Sequence, residues 1–153
     1  MDRSVLTQMP DTRPYDLSGD LISTLAINSN SPVFGYRLTE GYRFDIGTLS
    51  EYVLRQFDAL DGTIQVNNIK LAKQQFGENV EIGIQTKLAG HNIFGNQVKV
   101  GDHCEIEDSV VLDGSTIGNG VKLTGVVVGQ NCRILDNVVL GRGTALGDWN
   151  VVG

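Results

Sequence analysis

Between Ile82 and Val152 an aliphatic or aromatic residue recurs at almost constant intervals, and that regularity admits very few folds. Ile82, Leu88, Phe94, Val100, Ile106 and Leu112 stand six residues apart. The ladder steps five to Ile117, six to Leu123 and five to Val128, then runs in sixes through Ile134, Leu140, Leu146 and Val152. Six is even, so on an extended chain every rung points to one face. The residue two before each rung shares that face: Val80, Thr86, Asn92, Val98, Cys104, Val110, Ser115, Val121, Val126, Cys132, Val138, Thr144 and Asn150. Nearly all are small or β-branched, as a narrow interior requires. A bend every six residues needs positive φ, which Gly, Asn and Asp supply with least strain. Gly118-Asn119-Gly120, Gly129-Gln130-Asn131 and Gly147-Asp148 fit that role.

Three such faces close a triangular coil of about 18 residues, so residues 63–153 predict roughly four coils. The pattern resembles the left-handed parallel β-helix of the hexapeptide-repeat proteins, and the chain reads as mainly β. The repeat also explains the glycine excess, since 13 of the 19 glycines lie between Gly83 and Gly153. Three prolines exclude a collagen-like chain, and 41 % hydrophobic against 20 % charged residues excludes a disordered acidic one. No apolar run approaches the ~18 residues of a membrane span, and the first residues lack a secretory apolar segment. A net charge of −6 without a basic cluster argues against nucleic acid and against anionic membranes as partners. Two cysteines fit a reducing, cytoplasmic setting. Cys104 and Cys132 occupy small inward positions, which makes them buried structural thiols, and their spacing matches no zinc pattern.

Residues 1–62 predict a small α+β segment. Leu17, Leu21, Ile22 and Leu25 form a helical stripe that Pro32 ends. Val33–Tyr36 and Tyr42–Asp45 read as two strands around the turn Thr39-Glu40-Gly41, hence a hairpin. Thr48 and Glu51 form a capping box that starts a second helix. Its apolar face carries Leu49, Tyr52, Val53, Phe57 and Leu60, and Asp61-Gly62 ends it. Asp45 admits two readings. One is a turn aspartate near a helix N-terminus; the other is a carboxylate that holds Mg²⁺ against a phosphate, with Gly47 keeping the backbone open.

Gly41-Tyr42-Arg43-Phe44-Asp45-Ile46-Gly47-Thr48, followed by Tyr52, resembles the G-Y-x-x-D-I-G-T-x-x-x-Y segment that closes the catalytic domain of nucleoside-diphosphate-sugar pyrophosphorylases. These include mannose-1-phosphate guanylyltransferases and glucose-1-phosphate thymidylyltransferases. Pro14-Tyr15-Asp16-Leu17, Asp20-Leu21 and Val33–Tyr36 are similar to the helix and strand before that segment. Many members append a left-handed β-helix next, so the resemblance covers essentially the whole chain. It implies that Asp45 is a magnesium ligand, with Mg²⁺ bound only in a complete active site. The family's G-x-G-T-R-type triphosphate loop, its P-K-P lysine and a second metal-binding aspartate are not found here. Gly141-Arg142-Gly143-Thr144 has the loop's look, but Leu140 and Leu146 around it are rungs of the ladder.

The expectation is therefore the C-terminal remnant of a nucleotidyltransferase domain at 1–62 joined to a β-helix at 63–153, truncated at both ends. The complete enzyme would convert an NTP and a sugar 1-phosphate to an NDP-sugar and pyrophosphate. The chain alone is expected to be inactive and to need an N-terminal nucleotidyltransferase half or a homologous subunit. Homo-oligomerisation through the β-helix is expected too. One alternative is a non-catalytic regulatory or assembly subunit. Another is a hexapeptide-repeat acyltransferase, whose histidine base would stand at a groove between subunits. His91 and His103 fall beside small inward positions next to bends, which favours surface histidines over a base.

Overall fold

Each rung of the ladder except Leu112 becomes the inward residue of a short strand, and each corner holds one residue in left-handed backbone. Those corner residues run from Asn79 (φ 56°) through Gln85, Gly90, Gln97, His103 and Asp108 to Trp149 (φ 64°). The computed structural model describes Thr7, Met9 and residues 14–27, 33–39, 41, 43–64 and 71–153, in two compact units, Met1–Gly41 and Tyr42–Gly153.

Among the described residues the second unit holds twelve strands, β1 (Gln74–Phe76), β2 (Glu81–Ile82), β3 (Lys87–Phe94), β4 (Lys99–Val100), β5 (Glu105–Val111), β6 (Thr116–Ile117), β7 (Lys122–Thr124), β8 (Val127–Val128), β9 (Arg133–Ile134), β10 (Val139–Leu140), β11 (Ala145–Leu146) and β12 (Val151–Val152). Every pairing is parallel and joins residues 17 or 18 apart, one coil to the next. One face stacks β2, β4, β6, β9 and β12. The long strands β3 and β5 turn a corner and so serve the two other faces, which β7 with β10 and β8 with β11 continue. The left-handed β-helix thus makes about five turns, beginning at β1, one face before the first rung read from sequence.

The interior is a single column that includes Phe94, Val98, Val100, Cys104, Ile106, Val111, Ile117, Val121, Leu123 and Ile134. Corner carboxylates and amides tie coil to coil. Asp102 Oδ1 accepts from Ile84 N–H at 2.8 Å, Asn119 Oδ1 from Asp102 N–H at 2.8 Å and Asp136 Oδ1 from Asn119 N–H at 2.7 Å. Glycine is required where such a corner stacks directly on the next coil. A Cβ on Gly129 would lie 2.6 Å from Asp148 Oδ1 and 2.7 Å from its backbone N.

Two expectations change. The first five-residue step falls between Ile106 and Val111, not between Leu112 and Ile117. Val111 pairs with Phe94 and Val128 and is fully buried, whereas Leu112 is only half-buried. Ser109 consequently takes the inward place assigned to Val110, and its Oγ accepts from Val126 N–H at 3.2 Å. Val110 belongs to the opposite pleat and lies outside the interior cluster, though it too is buried. The hairpin does not form either: 33–39 and 43–47 contain no strand among the described residues, and Phe34 and Tyr36 are exposed. Pro32, Glu40 and Tyr42, which belonged to that reading, lie outside the described residues. An isolated two-stranded hairpin has too little apolar face to hold itself together in water.

The first unit carries a π-helical turn (Leu17–Ile22) that leads into α1 (Ser23–Ile27), with Asp16 as N-cap, accepting from Gly19 N–H. Of the predicted stripe, Leu21 and Leu25 are buried, whereas Leu17 and Ile22 are exposed. In the second unit α2 (Leu49–Leu60) begins and ends where the sequence indicates, with Thr48 as N-cap and Asp61 as C-cap.

Candidate functional site

The segment ahead of α2 is organised by its cap. Thr48 Oγ1 accepts from Glu51 N–H at 3.2 Å, while the Glu51 carboxylate accepts from the Thr48 hydroxyl at 3.0 Å and from Gly47 N–H at 3.1 Å. These bonds, the Thr48 hydroxyl first and Gly47 next, hold the Glu51 carboxyl below its usual pKa. The Arg55 guanidinium, one turn further on, lies 5.4 Å from the Phe44 ring centroid. Asp45, between Phe44 and the cap, is exposed and has the Arg43 guanidinium 3.6 Å from its Oδ1. Its oxygens have the hard-donor chemistry that Mg²⁺ prefers. A magnesium site needs more than that, and among the described residues no group of three or more His, Cys, Asp or Glu side chains is placed to hold a metal ion. Asp45 by itself supplies a single carboxylate and does not make a metal centre.

The far end of α2 meets the β-helix. His91 Nε2 is 2.8 Å from Asp61 Oδ1, and the imidazole stacks on Phe57 with centroids 5.0 Å apart and planes 23° from parallel. Against a carboxylate the ring nitrogen is the donor. Asp108, one coil below, accepts from His91 N–H at 3.1 Å, and its Oδ1 lies 3.8 Å from Nδ1. Arg142, from the coil of β10 and β11, bonds Asp108 Oδ2 at 3.1 Å. Burial works to raise the Asp108 pKa, but the His91 N–H, the Arg142 guanidinium and the nearby imidazole outweigh it and keep it lowered. Leu49, Val53, Leu54 and Phe57 of α2 face Asp108, Gly125, Arg142 and Gly143 across a cavity of about 310 Å³.

His91 is thus brought into a network, not left on the surface, whereas His103 is an exposed corner residue at φ 56°. Sequence reasoning missed the His91 partners Phe57, Asp61 and Asp108, and Arg142 beyond them. A signal for them was present. Leu88 to Phe94 is six residues where the equivalent steps below, Ile106 to Val111 and Leu123 to Val128, are five. The extra residue produces a register shift between Ala89 and Asn92, and such a bulge re-aims a side chain. Arg142 sits at a corner between β10 and β11, which excludes a strand-loop-helix phosphate cradle there. Cys104 and Cys132 are free and buried, as expected. Their thiols reach the carbonyls of Gly118 at 3.1 Å and Gly147 at 3.0 Å.

A six-residue parallel β-helix with a capped helix laid along one corner defines the class: a hexapeptide-repeat solenoid of the kind appended to nucleotidyltransferases. Residues 72–152 match the family model described as the GMPPB C-terminal domain, and the chain belongs to that family. It is accordingly a mannose-1-phosphate guanylyltransferase-like C-terminal part. No curated protein matches the chain significantly. Among the described residues no helix is long and apolar enough to cross a membrane.

Proposed function

We propose that this chain serves as the C-terminal part, or a separate subunit, of a sugar-1-phosphate nucleotidyltransferase. In that reaction a sugar 1-phosphate oxygen attacks the α-phosphorus of an NTP and pyrophosphate leaves. The observation that carries the reading is the family match over the β-helix, joined to a capped α2 preceded by the Asp45 segment. The nucleotide-cradling half would come from an N-terminal partner or homologous subunit, and the β-helix flank would support oligomerisation. Asp45 would contribute one carboxylate to a Mg²⁺ set completed by that partner. A reducing cytoplasmic setting suits the two free thiols.

The test is pyrophosphate release from GTP or dTTP with a sugar 1-phosphate. The purified chain should give none; co-expressed with a half that carries the triphosphate loop, it should give turnover that Asp45→Asn lowers by at least about tenfold. Turnover by the chain alone would overturn the dependence on a partner. Full activity of the Asp45→Asn assembly would remove the residue from the site.

A further inference from the structure

We propose that the corner built from His91, Asp108 and Arg142 is a latch that holds α2 on the β-helix and thereby fixes the Asp45 segment, with His91 as its positioning residue. The inference rests on the function proposed above and adds how the β-helix acts on that site.

Three observations converge on it. First, this corner differs from the other two. Elsewhere corner Asp and Asn side chains bond only the preceding coil: Asp102, Asn119 and Asp136 accept its backbone N–H, and Asp113 accepts both the backbone N–H and the side-chain amide of Asn96. Here Asp108 Oδ1 does the same for His91, but Oδ2 is held by Arg142, 34 residues away and two coils below. Gly125 lies between them in the stack, and a Cβ there would stand 2.8 Å from Arg142 Cγ. The missing side chain is what lets the guanidinium cross the intervening coil.

Second, the bulge at Gly90-His91 directs the imidazole onto α2, where it meets Phe57 and Asp61 together. Asp61 is the C-cap of α2, and the negative end of the helix dipole disfavours a carboxylate at that position. A ring N–H at 2.8 Å compensates it, so the two residues stabilise each other and have poor alternatives apart. His91 is four-fifths buried in this contact, its side chain 18 % exposed. Third, α2 is tied in turn to the Asp45 segment, through Arg55 over Phe44 and Glu51 on Gly47 N–H. Twelve helical residues span about 18 Å and coils repeat every ~4.8 Å. The helix therefore reaches from the His91 coil towards the Arg142 coil, consistent with the cavity lining. A shift of the solenoid corner is passed to Asp45 through one short rigid rod.

Hydrogen–deuterium exchange on the whole chain tests the latch without any activity. In His91→Ala, amides of Val53–Leu60 should exchange about tenfold faster while those of Thr116–Ile117 and Arg133–Ile134 stay unchanged. His91→Gln, which keeps a donor towards Asp61, should restore most of the protection. Asp61→Ala added to His91→Ala should not accelerate exchange further and should restore part of the protection, because it removes the carboxylate that His91 no longer compensates. Unchanged α2 exchange, additive effects, or equal acceleration throughout the β-helix would each overturn the latch. In the co-expressed assembly, His91→Ala should lower kcat about tenfold, leave KM for the sugar phosphate unchanged, and be rescued by His91→Gln. An unchanged kcat would refute the positioning role. No pyrophosphate release from the wild-type assembly would refute the proposed function instead, with exchange still deciding the latch.

Discussion

Ser115 shows how much of the interior rests on single small polar side chains. Its Oγ donates to Gly129 O at 2.7 Å and accepts from Cys132 N–H at 2.9 Å, both in the next coil and both out of reach of water. Thr86 does the same one corner away, bonding Gly101 O at 2.8 Å and Cys104 N–H at 3.0 Å. Ser115→Ala would keep the volume nearly constant and leave two buried backbone groups unpaired, so it should cost about 1–3 kcal/mol in urea denaturation. Cys132→Ser keeps a donor for Gly147 O and should be far milder. Gly125→Ala meets two penalties at once, a left-handed backbone at φ 62° and the Arg142 stem. About 1–2 kcal/mol is expected from the backbone alone, and the Asp108–Arg142 bond should be lost with it. The sequence marked Ser115, Cys104 and Cys132 as inward because they are small and fall two before a rung. What it could not mark is that their polar atoms hold the adjacent coil, since those partners lie 14 to 18 residues away.

Elements whose signals are local were legible, and those that depend on distant packing were not. The α2 boundaries followed from Thr48, Glu51 and Asp61-Gly62, whose capping bonds close within four residues. That cap also makes a pH prediction. Glu51 titrates lower in the folded chain than its ordinary 4.5, so its contribution is complete above that value and fades as pH falls through the lowered one. Protection of the first-turn amides of α2 should therefore drop as acid is added below about pH 4.5, and Glu51→Gln should flatten that dependence. The hairpin failed for the converse reason. Val33, Phe34 and Tyr36 have strand propensity, yet they remain exposed. Val111 and Leu112 form an adjacent pair that sequence alone cannot order, because either satisfies a ladder of fives and sixes. Pairing with Phe94 above and Val128 below selects Val111.

At the scale of the molecule the repeat was readable almost in full, because the period of each face is written in consecutive residues. The candidate site was readable only in part. Asp45 was singled out as a candidate by the look of its segment, and the structure leaves it exposed beside Arg43. The latch was hidden because Asp61, His91, Asp108 and Arg142 are spread over more than 80 residues and meet only when coils stack. The same stacking sets how stability is distributed. A solenoid coil contacts chiefly its neighbours, so a central rung supports two interfaces and a terminal rung one. Leu123, fully buried between Ile106 and Leu140, is a central rung, and Leu146 beside Val128 is half-buried near the last described coil. Leu123→Ala should cost about 2–5 kcal/mol, since the cavity it leaves cannot collapse between two rigid coils. Leu146→Ala should cost about 1–2 kcal/mol, because less of its surface leaves water on folding. Urea midpoints of the two variants, measured at matched denaturant slope, decide the matter. Equal losses would mean that the coils unfold as one indivisible unit with no gradient along the axis.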